Sequence, residues 1–235
     1  MRLDRYLVER GLVESREKAQ RLIREGRVQV AGKVVQKPAF SVPEGAEVRL
    51  LEGEPYVGRG AYKLLGALAG FPVAVAGKAC ADLGASTGGF TQVLLERGAR
   101  RVYAVDVGQG QLHPSLRADP RVVCLEGQDA RTLRLPEALD LVVMDVSFIS
   151  STHLLPKVRE LLRPGGEALV LVKPQFELWP GAHKGVVREE ALRREALRRV
   201  RERAQELGFQ VLGEAASPLP GKEGNQEYWL WLKAP

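Results

Sequence analysis

Cysteine is scarce in this chain: of 235 residues only Cys80 and Cys124 carry thiols. Neither has a CxxC partner, which argues against a zinc site and a disulfide framework. Each lies in an apolar, strand-like run that suits a buried, reduced thiol. Asparagine occurs once, at Asn225. Few thermolabile side chains and an excess of Arg over Lys fit a heat-loving source, and a GC-rich genome gives the same bias. His113, His153 and His183 are scattered and have no metal-ligand spacing, so they read as surface or loop residues. No apolar run approaches the roughly 20 residues that span a bilayer, and Met1–Tyr6 has no signal-peptide core behind it. The expectation is a soluble cytoplasmic protein.

What is present is unevenly placed. Residues 1–40 hold ten Lys/Arg against five Asp/Glu, a net +5 of the chain's +6. A small basic segment therefore precedes a nearly neutral body, which favours a polyanionic partner.

Residues 3–10 pattern as a short helix stopped by Gly11, and Ser15 caps a second helix through about Glu25. On that second helix Ala19, Leu22 and Ile23 share one face. Lys18, Arg21 and Arg24 form a basic stripe on another. Arg27–Val30, a turn at Ala31-Gly32-Lys33, and Val34-Val35 read as a hairpin, with a further strand at Glu47–Leu51. Glu14–Ala19 together with Gly26–Val35 resembles the RNA-binding domain of ribosomal protein S4. That resemblance implies phosphate contacts by Arg16, Lys18, Arg21, Arg24, Arg27 and Lys33, which position RNA and specify little sequence. The expected organisation is an S4-like α+β domain over 1–52, a linker over 53–60 and a larger domain over 61–235.

From Ala61 the pattern alternates. A helix at about 61–70 leads into strands at 79–83, 101–106, 121–125, 140–145, 167–172, 209–214 and 227–233. Helices at 89–97, 153–162 and 188–207 separate them. This predicts a doubly wound, Rossmann-like α/β sheet. The first strand runs into Asp82-Leu83-Gly84-Ala85-Ser86-Thr87-Gly88-Gly89-Phe90, where glycines permit a tight turn and close ligand approach. An acid two residues before the first glycine suits S-adenosylmethionine better than a GxGxxG dinucleotide loop. Asp82, Gly84, Ser86, Thr87, Gly88, Gly89 and Phe90 are thus candidate cofactor residues. Asp106 ends the second strand where ribose hydroxyls are usually met, and Asp129 follows the third, near an adenine edge.

Asp145 and Lys173 end adjacent strands at the carboxyl edge, where α/β enzymes bind ligands. A lysine there is costly unless paired, and Asp145 is the natural partner. With Lys63 and Glu227 they give the order Lys–Asp–Lys–Glu found in FtsJ/RrmJ-type ribose 2′-O-methyltransferases. The whole chain resembles the TlyA (haemolysin A) family of rRNA 2′-O-methyltransferases. The resemblance rests on the glycine loop, Tyr103–Gly108, Asp145–Ser150, Val172–Glu177 and Lys184–Arg188. It implies a class I methyltransferase sheet, S-adenosylmethionine, ribosomal RNA or a ribosomal subunit as partner, and transfer to a cytidine 2′-hydroxyl. In this reading Lys173 is the base, oriented by Asp145. Lys63 is a neighbouring cation, and Glu227 holds Lys63 or the ribose. The chain departs from the family at Gly58, usually Ser, and at Asp129, often Asn.

A short chain of this kind implies 23S rRNA, with 16S rRNA as a further substrate. An alternative keeps this fold without catalysis, as an RNA-binding assembly factor, and the intact glycine loop and full Lys–Asp–Lys–Glu set argue against it. A membrane-active haemolysin has no apolar segment to support it, and a base methyltransferase lacks its usual Asp-Pro-Pro-Tyr stretch. Trp229 and Trp231 read as core or interface residues rather than base-stacking platforms, and helix 188–207 as a solvated cover. Phe176–Val187 reads as either a lid or an ordinary loop.

Overall fold

The computed structural model describes residues 1–51, 55–181 and 183–235. At the N-terminus, α1 (Leu3–Glu9) and α2 (Arg16–Arg24) pack on a three-stranded sheet of β1 (Val28–Val30), β2 (Lys33–Val34) and β3 (Val48–Leu50), ordered β2-β1-β3. Ser15 caps α2 as the sequence suggested, accepting a hydrogen bond from the Lys18 amide at 3.2 Å. Ala19, Leu22 and Ile23 meet Leu3, Leu7, Val28 and Val30 in a core of their own. The hairpin turns through two left-handed residues, Ala31 (φ 50°) and Gly32 (φ 79°), the backbone a two-residue turn needs to match strand twist. β2 therefore starts at Lys33, one residue earlier than expected. Asp4, fully buried, accepts from Arg2, Arg16 and Gln20, and the Arg2 guanidinium foremost holds its carboxyl well below the usual range.

Gly53 and Glu54 of the expected linker, and Glu52 before them, lie outside the described residues. The remainder is docked rather than loose. Gln92 accepts from the Val57 amide at 2.9 Å and donates to the Pro55 carbonyl at 2.9 Å, while the Tyr56 ring stands edge-on to Tyr62 at 5.3 Å.

The larger sheet contains β4 (Ala79–Leu83), β5 (Arg101–Asp106), β6 (Val122–Glu126), β7 (Leu139–Met144), β8 (Leu162–Val172), β9 (Gln210–Ala216) and β10 (Tyr228–Lys233). Its order is β6-β5-β4-β7-β8-β10-β9. β4 to β8 pair in parallel, and β10 runs antiparallel to both β8 and β9. Alternate residues feed two separate cores. Ala81, Leu83, Val142, Met144 and Val170 face α6 (Leu155–Leu161) and α8 (Glu190–Glu206). Cys80, Leu141, Val143 and Leu171 face α3 (Gly60–Gly70) and α4 (Gly89–Glu96). Both faces of a parallel sheet are buried by this arrangement, which is why its strands are near-continuous apolar runs.

Sequence periodicity missed only short elements: α5 (Pro114–Arg117), α7 (Pro174–Glu177) and 3-10 turns at 130–132 and 151–153. Cys80 is buried, with burial pushing its thiol up to about 12, but Cys124 on β6 is only half-buried. His113 caps α5, and Trp229 is core.

Candidate active site

β4 and β7 are adjacent, and the strand order runs one way from β4 and the other way from β7. Ligands of open α/β sheets bind in the crevice at the carboxyl ends of such a pair. Here that crevice lies between Gly84 and Asp145. The Gly84 and Ala85 amides both donate to the Val105 carbonyl at 2.9 Å, pinning the loop to β5. Gly84 has φ 85°, and a Cβ on it would stand 2.0 Å from the Asp145 carbonyl oxygen. Gly88 answers to a different neighbour: left-handed at φ 103°, it would drive a Cβ into Leu116 of α5.

Asp82 lies beneath this loop. It is fully buried and accepts from the Thr91 hydroxyl at 2.8 Å. Burial pushes its carboxyl up to about 7, against the opposing Thr91 bond. It lines neither cavity described below, so the expectation of a cofactor contact from Asp82 is corrected to a supporting role under the loop.

A cavity of about 760 Å³ opens from the crevice, lined by Gly84, Ser86, Asp106, Asp129, Asp145 and Lys173, with Val107 and Leu154 as apolar wall. Asp106 accepts from the Ser86 amide through one oxygen and the Gly108 amide through the other, each at 2.8 Å. Its carboxylate is thus fixed at the rim. Val107 beside it is 76% exposed. Asp129 caps the 3-10 turn and grips Arg131 at 2.6 Å, which holds its carboxyl below the usual range. It remains a wall of the cavity, but its oxygens are committed to Arg131, so the adenine contact expected of it is not left to a free carboxylate.

A second cavity of about 280 Å³ shares Gly84, Ser86 and Asp145 with the first. Thr87, Gly89, Phe90 and Lys63 line it, and the exposed cations Arg59 and Lys222 stand among its lining residues. Phe90 is otherwise buried and packs on Trp229 with ring centroids 5.6 Å apart.

The four residues of the Lys–Asp–Lys–Glu set come together as two pairs. Lys173, at the end of β8, ion-pairs with Asp145 at 2.5 Å and donates to the Ser147 hydroxyl at 3.1 Å. Lys63, on α3, donates to both Glu227 oxygens at 2.8 and 3.2 Å. Glu227 reaches the carboxyl edge because β10 is antiparallel, so its beginning lies where the parallel strands end. Tyr228 pairs with Val172, and one further step of that register sets Glu227 opposite Lys173. The Lys63 charge is compensated by its own carboxylate.

Two features were legible only in part. Glu177, in the quoted stretch Val172–Glu177, is buried and accepts from the Ser150 hydroxyl at 2.5 Å and the Ser151 amide at 2.7 Å. It ties α7, which follows Lys173, to the loop that follows Asp145, and burial raises its carboxyl. That loop carries Phe148 in a left-handed backbone (φ 64°) with its side chain 91% exposed. A bulky residue held there is strained by about 1–2 kcal/mol.

On the N-terminal unit Arg21, Arg24 and Lys33 are exposed, and Lys18 pairs loosely with Glu14. Arg16 is drawn to Asp4, and Arg27 is half-buried and donates toward the Leu51 carbonyl. Arg16 stays exposed while bracing Asp4, and Arg27 is the less open of the two.

Residues 56–234 match the FtsJ-like methyltransferase family and residues 1–48 match the S4 domain. A 16S/23S rRNA (cytidine-2′-O)-methyltransferase TlyA of Mycobacterium tuberculosis is 49% identical over 240 residues, covering 99% of this chain and 89% of that protein. The chain belongs to the TlyA family of FtsJ-like methyltransferases. Within that family, a 23S rRNA (cytidine-2′-O)-methyltransferase TlyA of Campylobacter jejuni is 35% identical, covering 98% of each chain. A solved hemolysin structure from Streptococcus thermophilus superposes with a TM-score of 0.75 at 39% identity, over 100% of this chain and 88% of that one. The family's FtsJ-like domain and the observed sheet agree, and the sequence expectation of a Rossmann-like fold with an S4 domain holds.

Proposed function

We propose that this chain transfers a methyl group from S-adenosylmethionine to the 2′-hydroxyl of a cytidine in ribosomal RNA, with Lys173 accepting the proton. The observation that carries this reading is the Lys173–Asp145 pair at 2.5 Å in the wall of a cavity built like a nucleoside site. The cavity fits the cofactor. Asp106 offers carboxylate oxygens to ribose hydroxyls, Val107 and Leu154 offer an apolar face to adenine, and about 760 Å³ falls within the roughly 300–1,000 Å³ of small-molecule sites. When bound, the sulfonium supplies an already activated methyl group.

The chain's residues then have to position a hydroxyl in line with that methyl and take one proton. Asp145 and Ser147 fix the Lys173 Nζ. Lys173 would take the proton from the ribose O2′. Lys63, held by Glu227, lines the smaller cavity, where Arg59 and Lys222 offer positive charge to the flanking phosphates. Phe148, exposed and strained at the cavity mouth, gives a displaced base an aromatic face in place of its lost stacking neighbours.

In this reading residues 1–52 are an RNA-binding domain joined through 53–60 to a catalytic domain over 61–235. Arg21, Arg24, Lys33 and Lys18 grip phosphate. The C. jejuni protein that this chain covers almost end to end is named for 23S rRNA, which favours 23S rRNA as substrate, with 16S rRNA second. Substrate of that kind places the protein in the cytoplasm. Among the described residues no helix is long and apolar enough to cross a membrane.

The test is methyl transfer from labelled S-adenosylmethionine to ribosomal subunits lacking the modification, followed by nucleoside mass spectrometry. A 2′-O-methylated cytidine is expected. Label on a base would refute the assignment of Lys173.

A further inference from the structure

Among the described residues six large apolar side chains are exposed, and the only aromatic ones are Phe148 and Trp179. Both line one further cavity of about 550 Å³. We propose that this cavity is a stacking subsite for an unpaired nucleobase flanking the methylated nucleotide, with Trp179 as its platform. The proposal rests on the ribose-methylation reading.

The cavity adjoins the active-site cavity, with Phe148 and Ile149 lining both. Phe176, following Lys173 by three residues, packs on Phe148 with centroids 5.1 Å apart and carries the aromatic wall from one cavity toward the other. Trp179 is 53% exposed, and the Arg199 guanidinium lies 6.0 Å from its ring centroid. An indole face with a cation beside it suits a base and the phosphate attached to it. At the floor, Gln175 Oε1 and His183 Nδ1 are buried and have no hydrogen-bond partner among the described residues. Buried polar atoms without partners are costly, and both residues line this cavity.

Chemistry favours RNA as the occupant. A 2′-hydroxyl presented in line to a methyl donor must come from a splayed strand, whose neighbouring bases lose their stacking partners. Aromatic faces replace that stacking whatever the base identity. Each stacked base is worth about 5- to 100-fold in affinity on removal of its platform. Since stacking of a flanking base is made equally in the ground and transition states, the loss falls on KM and leaves kcat.

The experiment compares the intact protein with Trp179→Ala and Trp179→Phe, all saturated with S-adenosylmethionine. It measures KM and kcat on protein-free rRNA transcripts and on assembled subunits. It also follows quenching of tryptophan fluorescence by a short oligoadenylate. The expected result is a rise in KM of about 5- to 100-fold for Trp179→Ala on both substrates, with kcat and cofactor affinity unchanged. Trp179→Phe should retain most of the affinity, and oligoadenylate should quench the intact protein but not Trp179→Ala. An unchanged KM for Trp179→Ala would overturn the proposal. A rise confined to assembled subunits would overturn it too, assigning the cavity to a ribosomal protein. Absence of ribose methylation by the intact protein is a separate failure, that of the underlying reading, and is visible without any variant.

Discussion

The Lys63–Glu227 pair joins residues 164 apart in sequence inside the protein, with side chains only 11% and 1% exposed. Replacing Lys63 with Met leaves a buried carboxylate without its cation, and replacing Glu227 with Leu leaves a buried ammonium. Breaking a buried pair in this way costs about 3–5 kcal/mol, whereas an exposed pair is worth about 1 kcal/mol or less. With a urea dependence of about 1–3 kcal/mol per molar, the unfolding midpoint of either single variant should fall by about 1–5 M. The double variant removes both charges together and should recover most of that loss. It should not recover methyl transfer, because the polar wall of the smaller cavity is gone. Trp229 is a local reporter for urea titrations, since its indole N–H donates to the Lys63 carbonyl at 3.1 Å. Single variants that unfold at the original midpoint would refute the reasoning, as would a double variant with full activity.

Gly84→Ala sets a Cβ 2.0 Å from the Asp145 carbonyl oxygen at φ 85°. It should cost roughly 1–3 kcal/mol from the backbone alone and abolish S-adenosylmethionine binding in calorimetry. Asp82, with its folded-state carboxyl pushed up to about 7, is ionised in the unfolded chain first. Stability should therefore fall as pH rises from about 4 to about 7, by up to about 4 kcal/mol, and level off above. Asp82→Asn should remove that contribution to the slope in chemical denaturation at a series of pH values; an unaltered slope would show that the residue is not the source. In Phe148→Gly, relief of about 1–2 kcal/mol of backbone strain offsets about 0.5–1.5 kcal/mol of lost contact with Phe176. Melting should be nearly unchanged while KM for RNA rises, and a large loss of stability would count against the strain argument.

Long apolar strands and amphipathic helices were readable because their periodicity is set by the two sheet faces: alternate residues of β4, β7 and β8 feed opposite cores. The glycine loop was readable as a motif, yet the reasons for its glycines were not. Gly84 is forced by a carbonyl on β7's end and Gly88 by leucines of α5, contacts that exist only after folding. Asp82 illustrates the limit most clearly, since position beside the loop suggested a ligand contact and burial makes it a support. The Lys–Asp–Lys–Glu order was visible, but its division into two pairs depends on β10 entering antiparallel, which no local pattern encodes. The bonds of Arg16 to the buried Asp4 and of Arg27 to the Leu51 carbonyl were hidden because charge alone does not reveal a partner. Phe148 and Trp179 carried no periodic signal, since their significance lies in being exposed.

The most direct test of the central claim is single-turnover methyl transfer by Lys173→Met, with S-adenosylmethionine affinity measured in parallel. Met keeps much of the side chain's length and apolar stem but cannot accept a proton. The account predicts a cofactor dissociation constant within a few-fold of the intact protein and transfer slowed by at least about 100-fold. Transfer at the intact rate would contradict the assignment of Lys173 as the proton acceptor.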